Sequence, residues 1–320
     1  MLFEKKVVDM VLGQLLTRQD NPHGIIYFGP EHFPGLQTEP YDFKSHKGHD
    51  LKGFFYRYEG ADRKKLVVFD HGMGNGHRAY MREIETLCKA GFLVYSYDHT
   101  GCMASGGKHI GGFAQSLADL DDCIKQLKRD PLTAGMEICV VGHSWGGFST
   151  MNIGAIHPEV KKIVSMSGFV SVERIVKQSL GPLKAYAPAV VAVENRENPR
   201  HSRYNALESL DKTQAKVLLI YSEDDKTVLK KEHYDPLYIK FCDSDHVKFL
   251  LLNGKNHNPT FETESVVYKD EFFAQFQKAL KKGQLSTPEA QAEFMGRFDW
   301  WYMTKQDPAV WEQIVAHLKG

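Results

Sequence analysis

Short apolar runs alternate with stretches of helical hydrophobic periodicity through most of this chain. Runs rich in β-branched or aromatic residues predict buried strands at residues 65–70, 92–97, 138–141, 162–166, 215–221 and 246–252. Apolar residues at helical spacing predict helices at residues 78–90, 113–128, 230–241 and 262–282. Strands that alternate with helices in this way favour an α/β fold, with a doubly wound, mainly parallel sheet covered on both faces.

The N-terminal part of the chain has a different pattern. Charged residues interrupt the apolar side chains of the first 16 residues, which predicts an amphipathic helix and not the continuous core of a signal peptide. A loop rich in Pro and Gly follows at residues 21–36. Residues 41–45 and 51–58 then alternate between apolar and polar side chains, so we expect an antiparallel hairpin at the edge of the sheet.

The alternating pattern is interrupted at residues 169–213. A structureless connection of this length is uncommon inside a domain, and residues 172–180 carry apolar side chains at helical spacing. We therefore predict an inserted helical cap at 169–213, over the carboxyl edge of a sheet built from residues 1–168 and 214–320. Residues 286–320 predict one or two further helices, whose aromatic side chains dock on this core.

Composition narrows the possible partners. Lys plus Arg and Asp plus Glu both number 40, so the zero formal charge gives no general attraction to nucleic acid. No run approaches the roughly 18 apolar residues that a membrane span needs. The five cysteines are scattered and include no CxxC pair, which indicates reduced thiols and not a disulfide framework. We expect a cytoplasmic protein without a membrane span, whose oligomeric state the composition does not indicate.

The strongest chemical signal is the sequence GHSWG at residues 142–146. It follows a predicted buried strand and precedes a predicted helix, and its two glycines lie two positions either side of Ser144. This is the GxSxG nucleophile elbow, and here the chain resembles the α/β-hydrolase family. The resemblance covers roughly residues 51–282 and implies that Ser144 is a nucleophile on a sharp turn above the sheet.

A serine hydroxyl needs an imidazole as base and a carboxylate to orient that imidazole. His257 follows the last predicted strand, where the family places its base, whereas His246 lies at the opposite end of that strand. Glu223, Asp224 and Asp225 compete as the acid after residues 215–221. In the family the acid stands three residues after a small residue and three before a valine. This spacing selects Asp225, with Asp224 as the second choice.

Residues 71–74, HGMG, resemble the HGxG motif that donates one N–H of the oxyanion hole in lipases and esterases. The resemblance implies that the backbone N–H groups of Met73 and Trp145 stabilise the oxyanion. His71 and His77 are not completed by a cluster of metal-ligating residues, and the glycines nearby do not meet the GxGxxG fingerprint. We expect no metal, nucleotide or other cofactor.

These motifs predict a serine hydrolase that cleaves small-molecule carboxylic esters through a Ser-His-Asp triad and an acyl-enzyme. Among capped serine hydrolases, the chain resembles monoacylglycerol lipases and serine aminopeptidases. A peptidase or amidase is the alternative, because Glu173, Glu194 and Glu197 of the predicted cap could bind a peptide amine. A thioesterase and a noncatalytic, hydrolase-like binding protein are further alternatives.

Overall fold

In a computed structural model that describes residues 9, 11, 13 and 15–320, the strands are β1 Gln37–Pro40, β2 Phe43–Lys44, β3 Asp50–Leu51, β4 Gly53–Arg57, β5 Asp62–Asp70, β6 Phe92–Tyr97, β7 Glu137–His143, β8 Lys162–Met166, β9 Lys216–Ser222 and β10 Val247–Leu252. Eight of them form the central sheet, in the order β1-β4-β6-β5-β7-β8-β9-β10. The pairs β1/β4 and β4/β6 are antiparallel, and the pairs from β6 to β10 are parallel. The predicted N-terminal helix lies largely outside the described residues.

Helices cover both faces of this sheet. Leu66 and Val68 of β5 belong to one apolar core, and Val67 and Phe69 belong to the other, as the alternation of side chains along a strand requires. The helices are α1 Met81–Lys89, α2 Gln115–Arg129, α3 Trp145–Ile153, α4 Val172–Leu180, α5 Ala187–Glu197, α6 Ala206–Lys212, α7 Lys230–Phe241, α8 Thr263–Lys281, α9 Pro288–Met295, α10 Trp300–Met303 and α11 Pro308–Lys319. The predicted α/β fold with a mainly parallel sheet is therefore confirmed.

The edge of the sheet differs from the prediction. Residues 43–44 and 50–51 do pair in antiparallel fashion, but they form a separate two-stranded sheet. The outer strand of the large sheet is β1, which pairs with β4 and which the hydrophobic pattern did not predict. Its four side chains are all exposed, so its position depends on main-chain pairing and leaves no apolar signal in the sequence.

The insertion between β8 and β9 is helical, as predicted, and contains α4, α5 and α6. Glu194 of the insertion forms hydrogen bonds at the start of α2. Its carboxylate accepts the backbone N–H groups of Phe113 at 2.7 Å and Ala114 at 3.3 Å. Burial raises the pKa of Glu194 to about 7. The division into a core of residues 1–168 and 214–320 and a cap of residues 169–213 stays a prediction.

The C-terminal tail forms three helices, α9, α10 and α11, where one or two were expected. Its aromatic side chains do pack on the core: the Trp300 ring lies 5.2 Å from Phe272, and Trp311 is buried. Trp301 lies 5.1 Å from the ring of Phe28 but keeps 41% of its surface exposed. None of the helices described, in the tail or elsewhere, is long and apolar enough to cross a membrane.

Candidate active site

Ser144 occupies a strained turn between β7 and α3. Its φ of 56° and ψ of −109° lie in a region that side chains other than glycine seldom adopt. The two flanking glycines make this turn possible. A Cβ at Gly142 would collide with the carbonyl of Gly146, and a Cβ at Gly146 would collide with the carbonyl of Asp70. Glycine at both positions therefore allows the close crossing of strand and helix at this turn.

The hydroxyl of Ser144 begins a continuous row of hydrogen bonds. Its Oγ lies 2.8 Å from Nε2 of His257, and Nδ1 of His257 lies 2.8 Å from Oδ2 of Asp225. The other carboxylate oxygen of Asp225 accepts the N–H groups of Thr227 at 2.8 Å and Val228 at 2.9 Å. The structure thus brings together three residues that lie on separate loops after β7, β9 and β10.

Asp224, the second choice for the acid, has different contacts. Its carboxylate accepts the hydroxyl of Ser222 at 2.6 Å and the N–H groups of Gly254 at 2.9 Å and Asn256 at 3.2 Å. Burial by itself would raise the pKa of Asp224, but these hydrogen bonds lower it below its usual value. Asp224 therefore ties the loop before His257 to the end of β9, whereas its neighbour contacts the imidazole.

The HGMG segment follows β5 and is held by its own histidine. Nε2 of His71 accepts the N–H of His99 at 3.0 Å, so its Nδ1 carries the proton and donates to the carbonyl of Gly72 at 2.7 Å. Burial lowers the pKa of His71 to about 3, which keeps the ring neutral and suited to these two roles. His71 therefore fixes the conformation of the segment, and no metal is needed to explain it.

The two residues predicted to donate to an oxyanion lie close to Ser144. Met73 lines the same cavity as Ser144. Trp145 is the first residue of α3, and the first four N–H groups of a helix have no acceptor within the helix. Both positions are thus compatible with donation to a developing negative charge, and their role in the oxyanion hole stays a prediction.

A second hydrogen-bonded pair, which the sequence analysis missed, supports the loop of His257. The hydroxyl of Tyr80 lies 2.9 Å from Nδ1 of His143, and Nε2 of His143 lies 2.7 Å from the carbonyl of His257. A carbonyl only accepts, so Nε2 of His143 carries the proton, and Tyr80 donates to Nδ1. Burial lowers the pKa of His143 well below its usual value, which favours this neutral ring.

A cavity of about 410 Å³ opens beside Ser144 and His257. Apolar and polar side chains both line it, and its walls come from the loops after β5, β7, β9 and β10 and from helices α1 and α8. None of the described residues that line it belongs to the insertion at 169–213. Glu173, Glu194 and Glu197, the acids considered for binding an amine, are therefore absent from this wall.

Part of the chain is similar in sequence to a known protein family and to known lipases. Residues 61–201 match the model of a family described as serine aminopeptidase, S33. A monoacylglycerol lipase of Mycolicibacterium smegmatis is 30% identical over 110 residues, which are 34% of this chain and 39% of that protein. A monoglyceride lipase homolog of monkeypox virus is 26% identical over 120 residues, 37% of this chain and 43% of that protein. The chain thus matches less than half the length of these curated relatives.

Solved structures share the fold over a larger part of the chain. An esterase of Pyrococcus furiosus superposes with a TM-score of 0.58 at 19% identity, over 83% of this chain and 98% of that protein. An acylaminoacyl peptidase of Pyrococcus horikoshii has a TM-score of 0.53 at 16% identity, over 71% of this chain and 39% of that protein. At these identities the resemblance concerns the fold.

Proposed function

Because the chain belongs to the α/β-hydrolase family, we propose that it is a serine hydrolase that cleaves carboxylic esters. The observation that carries this proposal is the row of two 2.8 Å hydrogen bonds from Ser144 through His257 to Asp225, on the wall of an open cavity. A nucleophile, a base and a carboxylate that orients the base are the parts that acyl transfer needs.

In the proposed mechanism, Nε2 of His257 takes the proton of Ser144 as its Oγ attacks the ester carbonyl. Asp225 accepts Nδ1–H of His257, which leaves Nε2 free to accept that proton and stabilises the imidazolium that forms. The N–H groups of Met73 and Trp145 stabilise the oxyanion. The imidazolium then protonates the leaving alcohol, and a water molecule, activated by the same imidazole, releases the acid from the acyl-enzyme.

An ester is favoured over a peptide by the position of the acidic residues in the insertion. Glu194 already accepts two backbone N–H groups from the residues directly before α2, and Glu173 pairs with Lys177 on the exposed side of α4. Neither residue reaches the cavity wall, so they give no support to binding of a peptide amine. The two curated relatives carry names of lipases that act on monoglycerides, which agrees with an ester substrate.

A chain-length series of p-nitrophenyl esters, from acetate to palmitate, tests this proposal. The cavity of about 410 Å³ lies in the usual range for small ligands, about 300 to 1,000 Å³. We therefore expect kcat/KM to rise from acetate to a medium chain and to fall before palmitate. The matched p-nitroanilides should react far more slowly. A preference for the anilides would favour an amidase, and failure of every ester would contradict the proposal.

We expect His143 to act as a positioning residue for the base. His143→Leu removes the donor to the carbonyl of His257, so kcat for p-nitrophenyl butyrate should fall about tenfold, at nearly constant KM. His143→Gln keeps an N–H donor and should recover most of this loss. The pH profile of kcat/KM should shift in the leucine variant alone. Equal losses in both variants would rule out this hydrogen bond as the cause.

A further inference from the structure

Three charged residues line the cavity beside Ser144, and no step of the proposed reaction uses Glu83, Lys269 or Asp270. Glu83 comes from the first turn of α1, and Lys269 comes from the middle of α8. We refer to these two residues as the charged wall. The other residues on the wall include apolar side chains such as Met73 and Phe273, so the charged wall stands out in a partly apolar cavity.

Glu83 is 4% exposed, and its Oε2 has no hydrogen-bond partner in the part of the chain that the structure describes. A negative charge in the first turn of α1 is favoured by the helix dipole, which explains why an acid is tolerated there. The dipole does not satisfy the second oxygen, and an unsatisfied buried acceptor is unfavourable. Burial accordingly raises the pKa of Glu83. A ligand that donates a hydrogen bond to this carboxyl group would supply the partner that Oε2 lacks.

Lys269 has spare donors. Its Nζ donates to Oδ1 of Asn258 at 2.6 Å and lies 4.9 Å from the centre of the Phe261 ring. Burial lowers the pKa of Lys269, and the nearby carboxylates of Glu83 and Asp270 offset only part of this effect. An ammonium carries three N–H donors, so this one can also bind an acceptor on a ligand. The third charged residue on the wall, Asp270, is exposed and already accepts a hydrogen bond from Asn256 at 2.9 Å.

Opposite charges on one wall restrict what can bind there. A cationic group would be attracted by Glu83 but repelled by Lys269. An anionic group would be attracted by Lys269 but repelled by Glu83. A neutral hydroxyl group both donates and accepts, so it suits both side chains. We propose that Glu83 and Lys269 bind a neutral, hydroxylated part of the ester substrate and select such substrates. We make this proposal on the premise that the chain hydrolyses esters.

The charged wall can be tested with esters that differ only in the group it would contact. The 2,3-dihydroxypropyl and pentyl esters of butanoic acid have the same number of non-hydrogen atoms, and wild type should prefer the first in kcat/KM. Glu83→Gln and Lys269→Met should each lower this preference about tenfold to a hundredfold. Glu85→Gln on α1 and Lys278→Met on α8 lie outside the cavity wall and should leave the preference unchanged.

The hydroxyl group can belong to the alcohol or to the acid, and a second pair of substrates separates these sources. If it belongs to the acid, the preference will appear between p-nitrophenyl 6-hydroxyhexanoate and hexanoate, and it will depend on Glu83 in that pair. A dimethylaminopropyl ester and a carboxypropyl ester provide the cationic and anionic cases. Higher kcat/KM for either charged ester than for its neutral hydroxylated counterpart would overturn the proposal.

Binding of an ether that cannot be hydrolysed keeps the two proposals distinguishable. We would measure the Kd of 1-O-butylglycerol for wild type and Glu83→Gln, with the melting temperature of each as a check on folding. Weaker binding by the variant without turnover of any ester would support the charged wall and contradict the esterase. Equal binding, together with ester turnover that shows no preference for hydroxyl groups, would overturn the charged wall and leave the esterase standing.

Discussion

Ser144→Ala should abolish ester hydrolysis, with a fall in kcat on the order of 10⁶-fold, as expected when a serine nucleophile is removed. The variant loses the Oγ that lies 2.8 Å from Nε2 of His257, and no acyl-enzyme can then form. We would measure initial rates with the preferred p-nitrophenyl ester and follow labelling by an organophosphonate probe. The probe should add its mass to wild type at Ser144 and leave the variant unlabelled.

Ser179→Ala is the matched control, because Ser179 is exposed on α4 and donates to the carbonyl of Ile175. It should keep both activity and labelling. Ser144→Ala should also keep its melting temperature, since the Ser144 hydroxyl bonds only to the base among the described side chains. Substantial ester turnover by a folded Ser144→Ala variant would mean that the nucleophile is another residue.

Asp225→Asn should have the second largest effect, a fall in kcat of about 10⁴-fold. The two N–H groups of Thr227 and Val228 hold Oδ1 and should hold the amide oxygen of the variant in the same place. The amide nitrogen then faces Nδ1 of His257, so this Nδ1 becomes an acceptor and Nε2 carries the proton. In that tautomer Nε2 is a donor and cannot accept the proton of Ser144.

Asp224→Asn provides a comparison that differs in position alone. Asp224 accepts from the loop at Gly254 and Asn256 and does not contact the imidazole, so we expect a fall in kcat below about tenfold. Its main effect should be a lower melting temperature, since the loop that carries His257 is tied by these bonds. The reverse ranking of the two variants in kcat would overturn the assignment of Asp225 as the acid.

Features with a local cause were predicted well from the sequence. The strands at residues 92–97 and 162–166 and the helix at residues 230–241 have the expected bounds. An apolar run or a helical period is a property of neighbouring residues, and burial in the folded chain follows from it directly. The glycines around Ser144 belong to the same class, because the turn itself excludes a side chain at each of them.

Features that depend on distant contacts left no such signal. The exposed strand β1 is held by main-chain pairing with β4. Its four side chains are all exposed, so their pattern does not differ from that of a loop. The insertion is predicted to cover the carboxyl edge of the sheet, and the sequence did not indicate that none of its residues lies on the described wall of the cavity beside Ser144. Pairings of this kind join residues far apart in the chain, and periodicity within a segment does not encode them.

The sequence by itself determined the α/β class, the strained turn at Ser144 and the most suitable candidates for base and acid, because each follows from local pattern or from the order of motifs. The family spacing favoured Asp225, and the contact of Asp225 and not Asp224 with His257 is visible only in the tertiary structure, since both acids occupy the same loop and differ in the direction of their side chains. The tertiary structure also decided that Glu83 and Lys269 share one cavity, because these residues are 186 positions apart in the chain and only the folded sheet brings their helices together.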